Sequence, residues 1–175
     1  MDLSRLAETL MRMDDSVWQR HANPLSVWSR FTTLPLLALA IWSRVWLGWG
    51  SLVPIGAALV WIWANPRIFP IPRDFGGWPG RVVQGEQIWI NRKHHGIPAH
   101  HLRAGHVTSA LALPGAVILG FGLWHLNPVA TLSGTLLTML PKIWFCDRMV
   151  WLHADLTGIP AGTPMPKPVL PPGDS

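Results

Sequence analysis

The chain has no tyrosine, a single cysteine and few charges. Cys146 stands alone, and only 13% of the 175 residues are Asp, Glu, Lys or Arg. One cysteine excludes an internal disulfide, so it carries no information about a redox compartment. Near a helix end, it reads as a small packing residue. The charge content is about half the roughly 25% of an ordinary soluble domain. With 49% hydrophobic residues and a mean hydropathy of +0.26, it points to a membrane chain. Several signatures are missing as well. There is no Gly-x-Gly-x-x-Gly, no Walker loop, no Gly-x-Ser-x-Gly, no His-Glu-x-x-His and no Cys-x-x-Cys-His. Nucleotide-driven transport, familiar serine or zinc hydrolysis and covalent haem attachment lose ground accordingly.

What the chain does have fits a bilayer. Its 17 Pro and 16 Gly are tolerated in transmembrane helices and their loops. Its 12 Trp suit the membrane interface, where the ring is apolar and the N–H stays wet. The net charge of +5 sits beside apolar segments, as anchors to anionic lipid headgroups do. Dispersed Arg without an RNA-binding motif argues against nucleic acid.

The expected fold is all-α and polytopic, with about four transmembrane helices. Leu3, Leu6, Leu10, Met13 and Val17 form one apolar stripe, predicting an amphipathic interfacial helix over 2–20. The charged opening does not read as a cleavable signal, so the first span is expected to direct insertion. Asn23-Pro24 reads as a cap and first helical residue. Spans are expected at about 31–47, 52–64, 107–126 and 129–146. The first two arms are short against the roughly 20 residues of a full span. A spanning hairpin is preferred, with a re-entrant hairpin as the alternative. Arg44, near the far end of the first arm, is expected to snorkel to the interface. Within the polar connection 67–106, residues Val82 to Ile90 are expected to form a short helix with Glu86 on its polar side. Residues 1–158 form a single membrane domain in this reading, and 159–175 a Pro-rich disordered tail. Lys and Arg concentrate in the N-terminal segment, the 67–106 connection and after the last span. The positive-inside rule then places both termini in the cytoplasm, and with no transit peptide in the opening residues a prokaryotic inner membrane is expected.

Two runs carry a resemblance. They are Trp18-Gln19-Arg20-His21-Ala22-Asn23-Pro24-Leu25-Ser26-Val27-Trp28-Ser29-Arg30 and Trp63-Ala64-Asn65-Pro66-Arg67-Ile68-Phe69-Pro70, with Gly85-Glu86 and Trp89 further on. This stretch, from Trp18 to Trp89, resembles a family of small membrane proteins known only as a domain of unknown function. The resemblance implies a membrane fold and no particular activity.

Candidate chemistry falls in two groups. His94, His95, His100, His101 and His106 crowd into thirteen residues and could hold Fe, Zn or Cu. Their pairs stand six apart across Gly96 and Pro98, unlike the helical His boxes of membrane hydroxylases and desaturases. A basic interfacial loop is the simpler account of them. The second group converges at the inner ends of the spans. Glu86, Asp147, His21 and His153 are candidate acid–base residues, and Arg30, Arg67, Asn23, Asn65 and Arg148 candidate ligand-binding ones. Helix capping, mutual pairing and headgroup anchoring account for the same residues more simply. On α-helical spacing, Lys142, Cys146, Met149 and His153 also share one stripe, with Lys142 expected to snorkel. The preferred function is a non-catalytic membrane protein: an accessory subunit, or one binding a lipid or other amphiphile at its cytoplasmic rim. Its expected partners are the bilayer, anionic headgroups and a membrane protein or second copy of itself. A membrane enzyme acting on a lipophilic substrate, metal-dependent through the His loop, is the alternative. A small transporter is third.

Overall fold

A computed structural model of the chain describes residues 14–160 and 163–164. Most of the amphipathic helix expected over 2–20, and most of the Pro-rich 159–175 segment, lie outside the described residues. Among the described residues all regular structure is helical. In chain order the helices are α1 (Asp15–His21), α2 (Pro24–Arg30), α3 (Thr33–Trp42), α4 (Arg44–Leu47), α5 (Leu52–Ile68), α6 (Trp78–Ile90), α7 (Ala99–Trp124) and α8 (Pro128–Thr157), with a 3-10 turn (Gly48–Ser51) between α4 and α5.

Local chemistry explains where several of these begin and end. The Asp14 carboxylate accepts from the Val17 N–H and caps α1. Asn23 and Asn127 cap α2 and α8, each followed by proline at the first helical position, where no N–H is needed. α8 stops at Gly158, whose φ of 68° lies in the left-handed region. α6 begins at Trp78, earlier than the expected Val82, because Pro79 is accommodated in its first turn. α5 runs through Asn65-Pro66 to Ile68, past the expected end of its arm at Ala64.

Three helical stretches are long and apolar enough to cross a membrane: Pro24–Ile68, Ala99–Trp124 and Pro128–Thr157. Their apolar side chains face outward. Only 6% of the apolar window of Pro24–Ile68 is buried, and 22% of each of the other two. A soluble helix would turn such residues inward, so the surrounding solvent suited to this surface is lipid. α7 and α8 are about 39 and 45 Å long, ample for a hydrocarbon core of about 30 Å. Trp46, Trp49 and Trp124 lie exposed together at one end. There Arg44 donates to the carbonyls of Leu123 and Trp124, so the residue expected to snorkel instead caps the C-terminus of α7.

Small residues set the packing. α7 and α8 lie antiparallel along most of their length. A Cβ at Gly134 would sit 2.3 Å from the Leu119 nitrogen, and one at Gly122 2.4 Å from that of Thr131. This is backbone-to-backbone contact of the kind lipid-embedded helices use. α6 docks on the inner half of α8 by the same means, with a Gly85 Cβ position 2.1 Å from the Met149 carbonyl oxygen. α3 and α5 form a hairpin that touches α8 only lightly, with two hollows between α3 and α8.

Candidate functional site

The helix ends at the base of the hairpin enclose a polar network. α6 supplies Glu86, α8 Lys142, α1 His21, α2 Ser26, Ser29 and Arg30, and α5 Asn65. Lys142 Nζ donates to Glu86 Oε1 at 2.7 Å. The other carboxylate oxygen lies 4.0 Å from His21 Nε2. Arg30 Nη2 approaches His21 Nδ1 at 2.6 Å, and because guanidinium only donates, that nitrogen is the acceptor and the imidazole proton sits on Nε2, facing Glu86. Arg30 also reaches Ser26 Oγ at 3.5 Å. Ser26 donates to Asn65 Oδ1 at 2.9 Å, and Asn65 Nδ2 donates to Ser29 Oγ at 2.7 Å. Asn65 is thus a cross-helix clasp inside α5, correcting its expected place at a helix boundary. Lys142 meets Glu86 rather than only snorkelling.

The charges in this network are set by burial and by each other. Burial, then the Arg30 charge, push the His21 imidazole well below its usual range despite the pull of Glu86, so it is neutral at pH 7. Burial alone would raise the Glu86 carboxyl. The Lys142 ammonium, then Arg30 and His21, outweigh that and hold it at about 2. Near neutral pH the centre therefore holds two cations and one carboxylate, a net single positive charge.

A hollow of about 210 Å³ opens beside these groups. Val27, Phe31, Leu34, Val82 and Met139 give it apolar walls, and Arg30 and Lys142 are its only charged lining residues. Arg30 Nε is buried without a hydrogen-bond partner. A second, almost wholly apolar hollow of about 400 Å³ lies further along the same two helices, between Ala38, Leu39 and Trp42 of α3 and Leu132 and Thr135 of α8.

The remaining candidates lie apart from this centre. Asn23 caps α2 and donates to the Pro70 carbonyl, tying the start of α2 to the beginning of the 67–106 connection. Arg67 stacks over Trp63 at 4.1 Å and donates to its carbonyl. Asp147 pairs with its neighbour Arg148 at 3.0 Å. His153 is buried against Gln84 at 3.1 Å. The five clustered histidines separate too. His94 and His95 are exposed in the turn after α6, and His106 lies edge-on to Trp89. His100 and His101 converge on Asp155, a residue that no motif or spacing picks out. Arg81 was equally unmarked. It is buried within α6 and donates to the carbonyls of Gly76, Ile159 and Thr163, tying the chain beyond α8 to the 74–77 turn.

Fold and site together define an all-helical protein with three helical stretches able to cross a membrane and a charged network, centred on the buried Glu86, where the base of the hairpin meets the middle of α8. A family model described as "Family of unknown function (DUF6653)" matches residues 3–168, and the chain belongs to that family. No curated protein and no solved structure matches it.

Proposed function

We propose that this is a four-span protein of a prokaryotic inner membrane, with both termini cytoplasmic, that binds an anionic amphiphile without transforming it. The observation that carries this reading is the pair of hollows that follow one another between α3 and α8. The first presents Arg30 and Lys142, and the second, further along α8, is walled almost wholly by apolar side chains. From Lys142 to Pro128 the residues lining the two hollows run about 21 Å along α8. That exceeds half of a hydrocarbon core of about 30 Å, so one extended acyl or isoprenoid tail fits along that run. A carboxylate or phosphate headgroup at the first hollow would meet the net positive charge and the unpartnered Arg30 Nε. Binding without chemistry fits because the acid–base candidates here are already engaged. His21 Nδ1 accepts from Arg30, and Glu86 is held ionised by Lys142.

Native mass spectrometry of protein extracted in mild detergent tests this. One anionic lipid per chain is expected. Arg30→Gln and Lys142→Gln should each reduce its occupancy. Thr135→Trp should do so as well, by filling the apolar hollow without touching the polar network. Equal lipid retention in all three variants would reject the reading.

A further inference from the structure

We propose that His100, His101 and Asp155 form a binding site for a divalent metal ion, with zinc the best match. The site shares no residue with the amphiphile hollows. His101 Nε2 lies 2.8 Å from Asp155 Oδ2, and His100 Nε2 lies 3.7 Å from the same oxygen. The three donor atoms fall within 4.8 Å of one another. Ligand atoms on a tetrahedral zinc, at bonds of about 2.0–2.1 Å, stand about 3.3 Å apart. The observed separations bracket that spacing, so small side-chain adjustments would admit an ion.

The convergence of the two imidazoles is more than a hydrogen bond needs. Consecutive residues on a helix point about 100° apart. Yet both rings lean over the first turn of α7 to one carboxylate oxygen, with centroids 4.1 Å apart. His101 alone satisfies that oxygen. His100 adds a donor set rather than a needed contact, its side chain 69% exposed and resting against the His101 ring. The site joins the start of α7 to the last turn of α8. These antiparallel helix ends bring opposing dipoles, so the ligands decide what binds. Two imidazole nitrogens and one carboxylate oxygen favour a borderline ion such as zinc over magnesium or calcium, which prefer all-oxygen shells. Three protein ligands leave a position for water, as in open zinc sites. Asp155 also lines a cavity of about 650 Å³ with Trp78, Asp147 and Trp151, giving solvent a route to that position.

The test uses the full chain, purified in detergent without a His tag, stripped with chelator and titrated with zinc chloride against a chromophoric indicator. One zinc per chain is expected. His100→Ala and Asp155→Asn should each weaken binding at least about tenfold, the loss that even outer-shell changes produce. A double His94→Ala, His95→Ala variant should bind as the wild type does. Cobalt substituted at the site should show visible absorption bands that His100→Ala removes. Both single substitutions alter exposed side chains, and an unchanged elution volume and helical circular dichroism would verify the fold. Should Asp155→Asn misfold, His100→Ala decides alone. Absence of stoichiometric zinc, binding that survives His100→Ala, or loss in the His94/His95 variant would each overturn the assignment.

Discussion

Glu86 carries a depressed carboxyl and His21 a depressed imidazole, so protonation of either opposes the folded state. An unfolded chain takes up the His21 proton below about pH 6.5 and the Glu86 proton below about pH 4.5, while the folded protein resists both. The unfolded state then binds more protons, and stability falls as the pH drops. The first decline begins below pH 6.5, and the second runs from 4.5 down to about 2. The Glu86 step is on the order of 3 kcal/mol. Glu86→Gln should lower the melting temperature at neutral pH, because it leaves Lys142 without its carboxylate, and flatten the acid decline. A wild-type melting temperature constant from pH 7 to about 3 would contradict this. Asn65 offers a second test at the same scale. Asn65→Leu leaves the buried Ser26 hydroxyl without its acceptor and Ser29 without its donor, and should cost about 1–3 kcal/mol. A detergent melt matching the wild type would show that water replaces the clasp.

Helices here are positioned by where their backbones can touch. Gly134→Ala forces a methyl group against the backbone of α7 and should destabilise the α7–α8 pair by about 1–3 kcal/mol. Gly120→Ala is its internal control. That position on α7 has nothing within 4 Å, so alanine should be neutral or stabilise the helix by up to about 1 kcal/mol. Equal effects of the two in thermal unfolding would mean that helix propensity, not close approach, governs these glycines. This contrast also marks what could be read from the sequence. Asn23-Pro24 and Asn127-Pro128 were legible as helix starts because capping is decided by neighbours in the chain. The stripe of Lys142, Cys146, Met149 and His153 was legible as one face of α8 from spacing alone. That this face meets α6 was not, since Glu86 and Lys142 are separated by 56 residues and only the docking of Gly85 on Met149 brings them together. Asp155 escaped notice for the same reason, standing 54 residues from His101 with no spacing rule between them. Asn65 was expected just past the end of its arm at Ala64 because Asn-Pro usually interrupts a helix, whereas here the serines of α2 accept and supply its hydrogen bonds within a continuing helix.

Across the whole molecule, the arrangement turns on whether the α3–α5 hairpin crosses the bilayer or dips into it. α5 is about 26 Å long and α3 about 15 Å, with α4 and the 3-10 turn extending the first arm. Arg44 ties that arm to the end of α7, beside Trp124. If α7 crosses the membrane, the hairpin tip must reach the same far interface, because the guanidinium binds the terminal carbonyls of α7 directly. The exposed Trp46 and Trp49 then stand level with Trp124, as an interfacial belt requires. The His100–His101–Asp155 cluster falls at the opposite end of α7 and α8, which the proposed topology puts in the cytoplasm, with the polar network on the same side of the hairpin tip. A four-span arrangement therefore predicts opposite accessibility for two engineered thiols. In a Cys146→Ser background, Gly96→Cys, where nothing lies within 4 Å of the new side chain, should react with a membrane-impermeant maleimide only after the cells are opened. Gly50→Cys, at the hairpin tip, should react in intact cells. Reaction of both only after opening would make the hairpin re-entrant. The hollows beside α3 would then be reached from the cytoplasmic leaflet alone, and the Arg44 contact with α7 would have to form within the bilayer.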